Sequence, residues 1–175
     1  MSQPLVAIVM GSDSDLPVMR ETAAVLEELH ISFEVSIASA HRTPEAVQQL
    51  AAGAASRGIR VIIAGAGGAA HLPGIIAAHT TLPVIGVPIS VPPFNGTDAL
   101  YSIVQMPRGI PVAAMAVNGA RNAGIFAAQI LALENGDIYE RLIEFKQQLA
   151  EKVEEKNKQL QQLGVDGYLF ETGKK

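Results

Sequence analysis

LVAIVMGSDSD, residues Leu5 to Asp15, decides how the rest of the chain is to be read. Leu5 to Met10 form a continuous apolar run of strand length, with no polar residue to mark a wet face. A strand apolar on both pleat faces is a central one, covered by helices on both sides. It stops at a Gly-Ser-Asp-Ser-Asp turn. From Leu16 to about Leu29, Thr22, Ala23, Leu26 and Leu29 then recur at helical spacing, with Asp15 placed to cap the helix and Pro17 tolerated in its first turn.

Working outward from that unit, the same cycle repeats. FEVSIA (Phe33 to Ala38) alternates like a strand, and SAHRTP follows. Thr43 then stands at an N-cap and Pro44 at the first position of a helix that runs to about Arg57, where Gly58 stops it. RVIIA (Arg60 to Ala64) is a third strand, GAGGAAH a loop, and Leu72 to about Thr80 a short helix. PVIGVP is a fourth strand, followed by a Pro- and Gly-rich loop and a helix from about Thr97 to Met106. PVAAMAV (Pro111 to Val117) is a fifth strand, and Ala120 to about Asn135 a fifth helix ending at Gly136. Strands alternating with helices at this spacing require right-handed crossovers and a parallel sheet. The expected fold is therefore α/β: a five-stranded parallel sheet in three layers, helix–sheet–helix, with an extra C-terminal helix. No linker or composition break divides residues 1–175, so a single domain is expected, with residues 1–136 as its core and 137–175 as a helix and tail.

That last segment differs in character. From Asp137 to Leu163 a narrow stripe of Ile138, Leu142, Phe145, Leu149, Val153, Leu160 and Leu163 runs through highly charged sequence. A helix of this length spans about 40 Å, more than one face of a 175-residue domain needs. The reading favoured is that its far end lies on a neighbouring subunit.

Composition narrows the chemistry. Hydrophobic residues make up 49% and charged residues 17%, which suits a buried sheet. A net charge of −4 argues against broad electrostatic binding to nucleic acid. The absence of cysteine removes disulfide and thiolate chemistry and fits a reducing compartment. No signal-peptide pattern opens the sequence, and no apolar run approaches the roughly 18 residues of a membrane span. A cytoplasmic protein without membrane contact is expected.

The loops that follow strands one, two and three share the carboxyl edge of the sheet, where an open parallel sheet binds its ligand. GSDSD brings a glycine, two hydroxyls and two carboxylates ahead of a helix N-terminus; Asp15 either caps that helix or accepts hydrogen bonds from ribose hydroxyls, and Asp13 can be merely solvated. GAGGAAH formally fits a dinucleotide fingerprint, Gly65-x-Gly67-x-x-Ala70. It follows the third strand rather than the first, however, and the next acidic residue is Asp98, so a nicotinamide or flavin dinucleotide is rejected. Its small residues suit close approach of something flat, with His71 at its edge either a ligand contact or a structural histidine. In SAHRTP, His41 is an imidazole, a side chain that can both give and take a proton around neutrality. Arg42 and the Ser39 hydroxyl are natural phosphate partners. His30 and His79 read as helix-end residues without a role. With no HxxxH spacing and no cysteine cluster, there is no metal-site pattern.

GSDSD, SAHRTP, AGAGGAAHLPG and YSIVQMPRGIPV, in this order and spacing, resemble the 5-(carboxyamino)imidazole ribonucleotide mutase family of purine (IMP) biosynthesis, which includes the catalytic part of phosphoribosylaminoimidazole carboxylase. The resemblance covers roughly the first 135 residues and fades in the C-terminal helix. It implies a flavodoxin-like fold, a homo-octamer, and an isomerase acting on a ribonucleotide monophosphate with no metal or organic cofactor. The implied reaction moves a carboxylate from the exocyclic amine to ring carbon C4 through CO₂ held in the pocket, giving 4-carboxy-5-aminoimidazole ribonucleotide. By the same resemblance His41 is the catalytic proton shuttle. Ser39 and Arg42 would bind the phosphate with Ser14 nearby, Asp15 would hold the ribose and Ser12 would touch the migrating carboxylate. Gly67, Gly68, Ala69, His71 and Leu72 would line the ring and CO₂ pocket. The sequence departs from the family pattern in VPPFNGTDAL, where Phe94 and Asn95 replace a small residue and Ser, and in AVNGARNAG, a shortened turn.

The nearest rival is the related carboxylase that uses CO₂ and the uncarboxylated ribonucleotide directly; Arg42 after His41, and GGAAHLPG, favour the mutase. A phosphotransfer enzyme using Asp13 and Asp15 lacks a helper lysine and a later acidic pair at the strand ends. A non-catalytic phosphate- or nucleotide-binding module of receiver type would need Asp after the third strand and Lys after the fifth, where Gly65 and Asn118 stand.

Overall fold

In a computed structural model the described residues are 3–173. The elements alternate as β1 (Val6–Met10), α1 (Leu16–Glu28), β2 (Phe33–Ile37), α2 (Pro44–Ala52), β3 (Val61–Gly67), α3 (Leu72–Ala78), β4 (Val84–Ile89), α4 (Thr97–Val104), β5 (Ala113–Ala114), α5 (Ala120–Ala132) and α6 (Gly136–Thr172). All strand pairs are parallel, in the order β2-β1-β3-β4-β5. This is the flavodoxin-like order, and it reverses at β1, where the chain has β2 on one side and β3 on the other.

The pleat explains the three layers. Val6, Ile8 and Met10 of β1, Val61 and Ile63 of β3, and Ile85, Val87 and Ile89 of β4 pack under α1, α5 and the start of α6. Ala7 and Val9 with Ile62, Ala64 and Val84 face the other way, under α2, α3 and α4. Each strand of the LVAIVM type is therefore consumed on both faces by the chain's own helices.

Several expected boundaries move. β3 runs to Gly67, so Gly65, Ala66 and Gly67 are strand and only Gly68 onward is loop. A Cβ at Gly67 would sit 2.6 Å from Val91 Cγ2 and 3.2 Å from the Ile89 carbonyl, so glycine permits the close approach of the segment after β4. The second helix ends at Ala52 and a separate 3-10 turn, Ala55–Arg57, leads to Gly58 at φ 90°. The expected fifth strand shrinks to two residues. Gly86 and Pro88 turn their carbonyls toward β5, accepting from the N–H of Met115 and Asn118, but Pro88 has no N–H to return and the ladder breaks. Asp15 and Thr43 occupy N-cap positions without capping through their side chains. Both are used elsewhere, as described below.

α6 kinks at Gly164, whose φ 69° and ψ 176° are non-helical, so the expected end at Leu163 marks the end of its first stretch. Ile138, Leu142 and Phe145 are buried against the core, but Leu149, Val153, Leu160 and Leu163 are exposed. Among the described residues no helix is long and apolar enough to cross a membrane.

Candidate functional site

The carboxyl edge of the sheet carries a cleft of about 440 Å³, within the usual range for small-molecule sites. Three loops close around it, each folded by its own polar side chains. After β1, Ser12 and Asp15 form a reciprocal cap on a 3-10 turn: the Ser14 N–H donates to Ser12 Oγ (3.3 Å) and the Ser12 N–H to Asp15 Oδ2 (3.2 Å). This is why Asp15 does not cap α1: its carboxylate turns back into the loop. It is 7% exposed, and burial raises its pKa above the ordinary 3.8. The Ser12 and Gly11 N–H groups and the Arg42 guanidinium act against that shift, while Asp13 adds to it. Asp13 itself is exposed and accepts from the Ser12 hydroxyl at 3.1 Å.

After β2, Thr43 closes the SAHRTP loop instead of capping α2. Its Oγ1 accepts from the Ser39 N–H at 3.0 Å and donates to the Ser39 carbonyl at 3.1 Å. Within the loop, the Arg42 Nε and backbone N–H both donate to Ser39 Oγ (3.3 Å each), and Arg42 Nη2 donates to the Gly11 carbonyl at 2.9 Å. Arg42 thus straps the second loop to the first. After β3, Gly68 at φ 63° and Ala70 at φ 44° turn the chain so that His71 stands at the first position before α3. His41 reaches across the end of β1 to meet it. His41 Nε2 and His71 Nδ1 are 2.8 Å apart, with the rings edge-to-face at 80° and centroids 4.9 Å apart.

The cleft lining therefore brings together Ser12, Ser14, Asp15, Ser39, His41, Arg42, Gly67, Gly68, His71 and Leu72, ten of the eleven residues singled out in the sequence. Ala69 is the exception. It is exposed at the crest of the turn, and Ala70 lines the cleft in its place. The sequence reading missed Val91, supplied by a fourth loop that Ser90 and Asn118 tie down through a 2.9 Å bond from the Ser90 N–H to Asn118 Oδ1. The sequence marked this stretch, VPPFNGTDAL, only as a departure from the family pattern. Phe94 is 64% exposed and is not among the lining residues. A second hollow, about 460 Å³, lies at the opposite end around Leu5, Arg60, Leu82 and Leu131, without an imidazole or hydroxyl among its lining residues.

A proton-carrying imidazole, a guanidinium and several hydroxyls on one small cleft suit a small phosphorylated ligand and acid–base chemistry. Residues 5–152 match the AIR carboxylase family. The chain belongs to that family. A protein of Pyrococcus horikoshii named N5-carboxyaminoimidazole ribonucleotide mutase is 56% identical over 97% of this chain and 96% of its own length. One of the same name from Thermotoga maritima is 54% identical, covering 95% and 97%. The phosphoribosylaminoimidazole carboxylase of Candida glabrata is 52% identical, but this chain spans only 29% of it. Among solved structures, PurE of Treponema denticola superposes with a TM-score of 0.81 at 31% identity, over 90% of this chain and 98% of that one. The similarity thus extends beyond the first 135 residues: the family match runs into the first half of α6, and the Pyrococcus horikoshii relative aligns over 97% of this chain.

Proposed function

We propose that this chain is an isomerase of purine biosynthesis that moves a carboxylate from the exocyclic amine of 5-(carboxyamino)imidazole ribonucleotide to ring carbon C4. The observation that carries the reading is near-full-length identity of 54–56% to two proteins bearing the mutase name. The cleft chemistry agrees with it. His41, protonated, gives a proton to the exocyclic nitrogen as its bond to the carboxylate breaks and CO₂ is released. The electron-rich C4 attacks the CO₂, forming the carbon–carbon bond. Neutral His41 then removes the hydrogen that C4 still carries, which restores the aromatic ring and returns the imidazolium. One proton cycles, and atoms and charge balance.

In this reading Arg42, Ser39 and Ser14 hold the phosphate, Asp15 the ribose and Ser12 the migrating carboxylate. Gly67, Gly68, His71 and Leu72 form the wall behind the ring, with Ala70 taking the place first given to Ala69. Small residues let the ring and CO₂ sit against backbone with little room for water, which would otherwise compete for CO₂ and protons.

Support for the assembly comes from α6 and from QMPRG (Gln105 to Gly109), which precedes β5 and so lies at the edge opposite the cleft. We read the protein as a cytoplasmic homo-octamer in which this loop completes a neighbour's cleft. The exposed stripe from Leu149 to Leu163 supports subunit contact. Mixing His41→Asn chains with chains disabled in the QMPRG loop is expected to restore activity through hybrid sites.

Direct carboxylation is the second reading, favoured by the Candida glabrata relative's name. The two separate when the purified protein is offered the carbamate, or the uncarboxylated ribonucleotide with bicarbonate, at matched low concentrations. The carbamate is expected to be consumed; efficient use of the other pair alone would remove the mutase assignment.

A further inference from the structure

The two imidazoles at the cleft share one short contact, and that contact restricts where a proton can sit. At 2.8 Å between His41 Nε2 and His71 Nδ1, one nitrogen must carry the hydrogen and the other must offer a lone pair. Two facing N–H groups cannot occupy that distance. When His41 is an imidazolium both its nitrogens carry hydrogen, so its Nε2–H must donate to an unprotonated His71 Nδ1. His71 is then neutral, with its own hydrogen on Nε2. Neither His41 Nδ1 nor His71 Nε2 has a protein hydrogen-bond partner among the described residues.

Resting on the mutase reading above, we propose that His71 is a positioning residue that fixes the proton-bearing atom of His41, so that the cycling proton leaves from and returns to His41 Nδ1 while Nε2–H stays on His71. After Nδ1 gives its proton to the departing amine, His41 is left as the Nε2–H tautomer, still donating to His71. Its Nδ1 lone pair is aimed where the proton left, ready for the C4 hydrogen. No ring flip and no exchange of tautomers intervenes between the two transfers. The loops support such fixed geometry: the His41 loop is pinned by Thr43 and Arg42, and His71 is pinned between the Gly68–Ala70 turn and the start of α3.

The pair therefore works with one added proton and fails with two. A second proton, on His71 Nδ1, breaks the contact and releases His41 from its orientation. The other ionisable groups lining the cleft with the pair are Asp15 on the loop after β1 and Arg42 beside His41; the β3–α3 loop and Val91 bring no further one. The bound substrate adds its phosphate and carboxylate. Titration of Asp15 and of the phosphate is common to wild type and to His71 variants, so only the limb that depends on His71 should change.

The experiment compares His71→Leu, which removes the acceptor, with His71→Asn, whose side-chain oxygen can stand near the former Nδ1. Turnover of the carbamate is followed across pH, with substrate binding measured separately. His71→Leu is expected to lose roughly 10²- to 10⁴-fold in kcat, as when the group orienting a catalytic imidazole is lost, with a much smaller change in Kd. His71→Asn is expected to recover at least about tenfold of that loss, since acceptor geometry is restored. It should also lose the acid limb of the kcat profile that the second protonation of the pair is expected to give wild type. If His71→Leu does not fold, the pH profile of His71→Asn decides: an unchanged acid limb overturns the proposal. So do equal activities of the two variants, or a His71→Leu enzyme with wild-type kcat. Failure of wild type itself to consume the carbamate would overturn the mutase reading instead.

Discussion

The carboxyl edge of the sheet and the far half of α6 carry the two groups of residues that stood out in the sequence, and the fold treats them oppositely. At the edge, the polar side chains are held by their own chain. Ser12 and Asp15 cap one another's backbone, Thr43 closes the loop that presents His41, and Arg42 ties that loop to Gly11. Along α6 one apolar stripe begins under α5, where Ile138, Leu142 and Phe145 are 2–6% exposed, and continues beyond the core, where Val153 is 66% exposed. Helical spacing continues through both halves of the stripe, although the far half skips the turn between Val153 and Leu160. A periodic pattern says that a face seeks burial, but only the reach of the rest of the chain says whether it finds any. The edge is complete as a scaffold within one chain; the end of α6 is not.

The largest expected effect tests the edge alone. His41→Asn should keep fold, phosphate binding and assembly while turnover falls by roughly 10²- to 10⁴-fold, because Asn cannot exchange a proton near neutrality. Turnover within tenfold of wild type would separate His41 from the chemistry.

The next test divides the stripe. Phe145→Ala opens a cavity under the Arg121 guanidinium, which lies 5.7 Å from the ring centroid, and should cost about 3–5 kcal/mol in chemical denaturation. Val153→Ala should change the stability of an isolated chain by less than about 0.5 kcal/mol. A larger loss at Val153, growing with protein concentration, would locate a second copy on the stripe. Truncation after Gln148 makes the same comparison at the level of assembly. It keeps the buried turn that a cut after Gly136 would destroy, and sedimentation should show a smaller, folded particle.

Arg42→Leu follows in size. Loss of a charge-assisted phosphate contact, typically about 1.5–3 kcal/mol, should raise KM roughly 10- to 150-fold with a smaller fall in kcat. Because Nη2 also holds the Gly11 carbonyl, the first loop should loosen as well, seen as faster amide exchange at Ser12 and Ser14. An unchanged substrate Kd would place the phosphate elsewhere.

The smallest effect concerns Asp15. Burial raises its pKa in the fold, so the folded state binds that proton more tightly than the unfolded chain does. Its contribution to stability is therefore present below the ordinary carboxyl value and is lost as pH rises through the folded value. Asp15→Asn, uncharged throughout, should gain in Tm relative to wild type between about pH 3.5 and pH 7, while its KM for substrate rises. A difference that shrinks over that range would mean the Ser12, Gly11 and Arg42 contacts outweigh burial.

Much of this was legible in residue order. LVAIVM, the third-strand run and PVIGVP announce buried parallel strands because local apolar density has no other stable use in a chain with this helix–strand alternation. His41, Arg42 and the serines were visible as loop residues after strands, and topology alone places such loops together. Residue order did not reveal that Asp15 and Thr43 would forgo helix capping for loop-closing bonds, since side-chain choice between two nearby backbone donors depends on the third dimension. It did not set the short β5, which depends on which way Pro88 faces. Nor could it bring His41 to His71, 30 residues apart in sequence and 2.8 Å apart in space. Periodicity and turn chemistry are local and can be read from the chain; the pairing of two imidazoles depends on the order in which strands β2, β1 and β3 lie side by side, and that order exists only once the sheet has formed.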